Sequence, residues 1–164
     1  MKRALAEAKK AQKKDEVPIG AVIVKEDTLL ATGYNCKEHK KLPTAHAEII
    51  AIERACKKLG DWRLDGCDMY VTLEPCFMCV GACKNARLRT VYFGAYEKKS
   101  MQSVSATTLA TQNALNDNTT FVGGVLSEPC AHILSSYFAE KRQDVVPTIH
   151  TNTTNITKEI SKEG

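Results

Sequence analysis

The sequence predicts a single α/β domain, and three observations carry that reading. VPIGAVIV (17–24) is a β-branched, near-continuous apolar run, the pattern of a strand buried on both faces. DMYVTL (68–73) and TVYFGA (90–95) are strand-like and flank a helical stretch, PCFMCVGACKNAR (75–87). This β-α-β order implies a parallel pair joined by a right-handed crossover. Upstream, PTAHAEIIAIERA (43–55) repeats its apolar residues at helical spacing. With 164 residues, 43% hydrophobic and 26% charged, the chain is long enough for one buried core.

The remaining elements follow in order. Lys2 to Lys14 are rich in alanine and lysine and form a helix with Leu5 on a small apolar side. After the first strand KEDT turns the chain, and LLATGYN (29–35) returns as a second strand. CKEHKKLPT (36–44) is a polar loop. The core helix starts near Ala45 and carries Ile49, Ile50, Ile52, Ala55, Cys56 and Leu59 before Gly60, a residue suited to a helix stop. In the 75–87 helix, Pro75 suits the first helical position. The stretch 97–119 is polar throughout and fits a loop or a weak helix equally. TTFVGGVL (119–126) holds a short fifth strand. Cys130, Ile133, Leu134, Tyr137 and Phe138 make the apolar stripe of a last helix that ends near Arg142. The domain is therefore expected over 1–142, with 143–164 a polar, flexible tail.

Bulk properties exclude several classes. No apolar run approaches a membrane span. The opening MKRALAEAKKAQKK lacks the apolar stretch of a secretory signal, so a cytoplasmic location is expected. Seven cysteines, an odd count without a signal, point to reduced thiols and a metal site in place of a disulfide framework. The net charge of +4 and pI near 8.6 are compatible with RNA as a partner. They fall short of the pI above about 9 that marks a clear electrostatic footprint.

The chemistry-bearing residues fall in two stretches. Cys76 and Cys79 stand three apart in the first turn of a helix, so their sulfurs can share one face. A helix N-terminus favours anions and prepares both as thiolates. A redox pair or two core cysteines would fit the same spacing, but a zinc site needs an upstream histidine, and His46 supplies one. Two thiolates and one imidazole leave a fourth tetrahedral position open, the catalytic arrangement. Cys83, seven after Cys76, is the residue that could close it and make the site structural. Helix positions two apart face different directions, so Glu48 can share a site with His46 only if His46 precedes regular helix geometry. Glu48 would then face the open position and exchange protons with a zinc-bound water.

His46-Ala47-Glu48 with Pro75-Cys76-Phe77-Met78-Cys79 is the H-x-E and P-C-x-x-C signature of the zinc nucleobase deaminases. EVPIGAVIV, GYN, PTAHAEIIAIERA, WRLDGCDMYVTLEPCFMC and TVYFGA run in the order and approximate spacing of the bacterial tRNA-specific adenosine deaminases, which the chain resembles over about residues 3–142. The resemblance implies a three-layer α/β/α sandwich around a mixed five-stranded sheet, and a homodimer whose two subunits both contact the tRNA anticodon loop. It implies conversion of the wobble adenosine to inosine with release of ammonia. His46, Cys76 and Cys79 would bind one Zn²⁺ per subunit. Glu48 would shuttle protons between the zinc-bound hydroxide and the base. Asn35 would hydrogen-bond the extruded adenine, and the Ala47 backbone amide would lie near its reacting edge.

After TVYFGA the chain departs from the family. Glu97, Lys99 and Ser105 stand at the family's acid, lysine and serine positions, while the glycines between are replaced by residues such as Met101 and Val104. Two further readings therefore accompany the tRNA one. The first is a deaminase of the same fold acting on guanine, on cytosine or a cytidine nucleotide, or on single-stranded DNA or RNA. The second is a non-catalytic zinc-binding subunit. Lys40, Lys41, Lys84, Arg87, Arg89, Lys98, Lys99, Lys141 and Arg142 are the basic residues available to track phosphates.

Overall fold

A computed structural model of the chain describes residues 1–97, 105–112 and 119–144. Residues 145–164 of the expected tail and residues 98–104 of the divergent loop lie outside the described residues. The elements are α1 (Lys2–Gln12), β1 (Gly20–Lys25), β2 (Thr28–Tyr34), α2 (Lys37–Lys40), α3 (Ala47–Leu59), β3 (Cys67–Leu73), α4 (Phe77–Asn85), β4 (Thr90–Ala95), α5 (Ala106–Gln112), β5 (Thr120–Val122) and α6 (Ser127–Asp144).

The strands form the mixed five-stranded sheet expected, in the order β2-β1-β3-β4-β5. β1 is antiparallel to both β2 and β3, whereas β3–β4 and β4–β5 are parallel. β1 therefore runs opposite to the other strands, whose carboxyl ends share one edge of the sheet. Side-chain alternation divides the two faces. Ala21, Ile23, Met69, Val71, Val91 and Phe93 join Ala47, Ala51 and Ala55 of α3, Cys83 of α4 and its C-cap Ala86 in one core. On the other face α1, with Ala4, Ala8 and Ala11 fully buried, covers β1, and α6 covers β4. These are the layers of the α/β/α sandwich.

One close approach fixes the site side of the sandwich. A Cβ on Gly33 of β2 would lie 2.3 Å from the Ala47 carbonyl oxygen and 2.8 Å from the Ala51 nitrogen. Only glycine lets the first turn of α3 rest directly on the strand. At its other end α3 stops at Gly60, whose φ of 70° is left-handed and whose N–H returns to the Cys56 carbonyl.

The structure departs from the sequence reading, or completes it, at several points. The strand expected from Val17 begins at Gly20; Pro18, which has no N–H to give a ladder, stays outside it. The loop 36–44 contains the one-turn α2. The Glu16 carboxylate makes that turn, accepting the amides of Glu38 (3.2 Å) and His39 (2.7 Å) while only 1% exposed. Within 97–119, α5 settles the question for 106–112 in favour of helix. Among the described residues no helix is long and apolar enough to cross a membrane.

Candidate active site

The carboxyl ends of β2, β3 and β4 deliver Asn35, Glu74 to Cys76, and Tyr96 to Glu97 to the same edge. α3 and α4 begin at that edge. Each starts with an unusual N-cap: His46 for α3 (φ −79°, ψ 153°) and Cys76 for α4 (φ −73°, ψ 171°). Both caps are extended, and neither side chain makes the usual cap hydrogen bond. Ser, Thr, Asp or Asn would normally do that work. Here both side chains instead turn toward each other. His46 thus lies ahead of regular helix geometry, the condition under which it can share a site with Glu48. Pro75 precedes the cap instead of occupying the first helical position, because Cys76 takes the cap.

His46 Nδ1 lies 3.8 Å from Cys76 Sγ and 3.6 Å from Cys79 Sγ, and the three ligand atoms all fall within 4.8 Å of one another. A tetrahedral zinc with Zn–S of about 2.3 Å and Zn–N of about 2.0–2.1 Å requires N···S separations of about 3.6 Å. Both nitrogen–sulfur separations therefore suit a tetrahedral cation. Its charge pattern points the same way. The Cys76 thiol is held down to about 4, first by the hydrogen bond from Cys79 and then by His46. Cys79, as donor in that bond, is pushed up. His46 is raised by the Cys76 sulfur beside it. One thiolate holding neighbouring protons is a site that a divalent cation can take over by displacing them.

Glu48, in the first turn of α3, is 4% exposed. Burial pushes its carboxyl up. Its Oε2 is buried with no hydrogen-bond partner among the described residues. Such an orphan acceptor costs about 1–3 kcal/mol, so its retention asks for a reason. A reacting polar group at the open coordination position supplies one.

Asn35 is 6% exposed and directly follows β2. Its backbone N–H donates to Ile19, and the next amide, Cys36, donates to Ala45 (3.0 Å), the neighbour of His46. The two ends of the 36–45 loop are thereby stitched together, which brings Asn35 beside the α3 cap. Ala47 is fully buried, and its amide, first in the helix, has no intrahelical acceptor. Cys83 does not join the ligand group. It packs with Met69, Val71 and Val91 in the apolar core, and burial pushes its thiol up. The closed four-ligand arrangement is therefore absent among the described residues.

The basic residues divide. Arg89 is tied to Asp68 (2.9 and 2.5 Å) at the amino ends of β3 and β4, opposite the site. Arg87 lies over the exposed ring of Trp62, past the far end of α4. Lys40 and Lys41 flank the loop that leads to His46. Lys141 pairs with Asp15. Lys98 and Lys99 lie outside the described residues. Sequence reasoning passed over two buried carboxylates near the site, Glu16 and Glu74. In each case an acid standing directly against an apolar run or a proline, EVPIG and LEPC, was the available signal.

Comparison with known proteins gives concordant matches. The family model for MafB19-like deaminases matches residues 1–142. A tRNA-specific adenosine deaminase of Bacillus subtilis (strain 168) is 46% identical over 143 residues, 87% of this chain and 89% of its own length. One from Aquifex aeolicus (strain VF5) is 41% identical over 146 residues, 89% and 96% of the two chains. A solved structure from a study of A-to-I editing by tRNA:A34 deaminases at the wobble position of transfer RNA is similar with a TM-score of 0.75 at 40% identity. That match covers 82% of this chain and 97% of the other.

Proposed function

The chain belongs to the tRNA-specific adenosine deaminases, within the MafB19-like deaminase family, and from that premise we propose that it hydrolyses the wobble adenosine of a tRNA anticodon loop to inosine. The observation that carries the reading is the buried Glu48 carboxylate, whose Oε2 has no hydrogen-bond partner among the described residues, beside a three-donor His46–Cys76–Cys79 group.

His46 Nδ1 and the two sulfurs would hold one Zn²⁺ per subunit. When bound, the ion supplies Lewis acidity that activates water for attack on C6 of the adenine. The protein's own groups do the rest. Glu48, raised by burial, is poised to accept a proton from the attacking water and return it to the ring nitrogen and then to the departing ammonia. Asn35, buried at the strand end next to the α3 cap, would fix the edge of the flipped base, and the free Ala47 amide would donate toward it. The N-termini of α3 and α4 both face the site and favour the negative charge that develops there. A single-stranded loop surrenders its base cheaply, since little stacking is lost.

The second subunit of the homodimer that we propose would meet the site edge, where Phe77 and Met78 of α4 are exposed at 65% and 37%. A cytoplasmic enzyme is the corresponding setting.

The test is conversion of a synthetic anticodon stem-loop, read by sequencing for adenosine-to-inosine changes. Glu48→Ala is expected to keep zinc and fold while turnover falls by about 10²–10⁴. Turnover of guanine or cytidine with no inosine in RNA would move the assignment to another base. Wild-type activity in Glu48→Ala would remove the carboxylate from the mechanism.

A further inference from the structure

Glu74 has no role in the donor set, yet its surroundings are built. It sits between the last residue of β3 and Pro75, two residues before Cys76, and is 6% exposed. Its backbone amide donates to the Ala95 carbonyl (2.8 Å), which locks the ends of β3 and β4 together. Its carboxylate reaches outward to two different segments. Oε2 accepts the Glu97 amide at 3.2 Å, and Oε1 accepts the Thr107 hydroxyl at 2.5 Å.

The second bond ends a directional chain. A carboxylate only accepts, so Thr107 must spend its one proton on Glu74. In the 3.0 Å contact between Ser105 Oγ and Thr107 Oγ1, Ser105 is therefore the donor, and Thr108, 2.9 Å from Ser105 Oγ, donates in turn. The Thr108 backbone amide also points at Ser105 Oγ (3.2 Å), which makes Ser105 the cap of α5. A short, polar helix with no apolar stripe thus takes its direction from one buried carboxylate.

We infer that Glu74 is a positioning residue: its carboxylate tethers Glu97 and the start of α5 to the turn that carries Cys76, so that these two segments and the ligand turn are held together. Cys76 is exposed and Glu74 is two residues away, so the segments that Glu74 holds are tied to the turn that presents this sulfur. The inference rests on the deaminase reading for its consequence, since loosened segments beside the ligand turn weaken substrate binding before they alter chemistry.

The experiment uses zinc-loaded, full-length protein and compares wild type with Glu74→Ala, Glu74→Gln and Thr107→Val. Amide hydrogen exchange is read first, without substrate. Losing a charge-assisted hydrogen bond should speed local exchange at Glu97 and at 105–109 by roughly tenfold in Glu74→Ala. Thr107→Val should do so at 105–109 alone, with α1 and α3 unchanged in both. Gln keeps an oxygen for the Glu97 amide and can donate to Thr107 Oγ1 but lacks the charge, so Glu74→Gln should exchange at a rate between wild type and Glu74→Ala. On an anticodon stem-loop, Glu74→Ala and Thr107→Val should raise KM several-fold with kcat and zinc content unchanged. Acceleration spread over the whole chain, or none at these amides, would overturn the tether; faster exchange with an unchanged KM would overturn its bearing on substrate. If Glu74→Ala does not fold, Thr107→Val, which removes one hydroxyl, still decides. A wild-type protein that makes no inosine would refute the deaminase reading and leave the exchange result standing.

Discussion

His46 and Cys76 occupy helix N-caps where a hydroxyl or carboxylate would contribute about 1 kcal/mol of stability. That contribution is forgone so that an imidazole and a sulfur can meet across the mouths of two helices. The same arrangement makes metal uptake sensitive to pH. A cation needs neutral imidazole and two thiolates. Cys76, held down to about 4, is already ionised at neutral pH and adds no pH dependence there. His46 and Cys79 are both raised, so each keeps its proton to higher pH and must release it when metal binds. Zinc affinity of the metal-free protein should therefore climb as pH rises from about 6 to about 8, with measurable proton release. Competition with a chromogenic chelator across that range checks it. A flat profile would mean that these two groups are not ligands.

At the scale of elements, the contact between Gly33 of β2 and the first turn of α3 aligns His46 with the cysteines. A methyl group there would lie 2.3 Å from a backbone oxygen, which cannot rotate away as a side-chain end could. Gly33→Ala should destabilise the protein by roughly 1–3 kcal/mol through overpacking and should also weaken zinc retention, because α3 can relieve the clash only by carrying His46 off the sulfurs. Denaturant melts together with metal analysis test this; destabilisation with full zinc occupancy would place the alignment elsewhere. The legibility of the elements follows the same division between local and distant causes. β1, β3, β4 and α3 could be read in sequence because an apolar β-branched run, strand alternation and helical periodicity are local patterns. So could the zinc-type triad, since its spacing sits on two helix starts. α2 was missed because Glu16, more than twenty positions upstream, supplies the acceptors that close its single turn. The α5 sequence ATTLATQ has no apolar stripe and is anchored by Thr107 on Glu74, a contact between residues 33 apart. The position of Pro75 could not be told from the first helical position, since both tolerate a missing N–H.

At the scale of the whole molecule, the sheet edge that carries the site also carries uncovered apolar side chains. Phe77 and Met78 follow the Cys76 cap directly, and Leu42, on the loop to His46, is 50% exposed. Single exposed apolar residues are unremarkable, but a group of them around a polar site marks a contact surface. Two copies related by a twofold axis would cover the same patch on each other. Burying Phe77 alone contributes about 1.5–3 kcal/mol, and a stable interface of at least about 1,000 Å² would need the neighbouring α4 surface as well. Wild-type protein should therefore sediment as a dimer at micromolar concentration. Phe77→Glu, which puts a charge on the patch, should sediment as a monomer that keeps its zinc and its melting profile but loses turnover of an anticodon stem-loop. Glu48→Ala should remain dimeric, because it acts on chemistry and not on assembly. Sedimentation velocity separates the outcomes: a monomeric wild type, or a Phe77→Glu variant that still pairs, would mean that the exposed α4 face serves the RNA or another partner and that the active unit is not built across it.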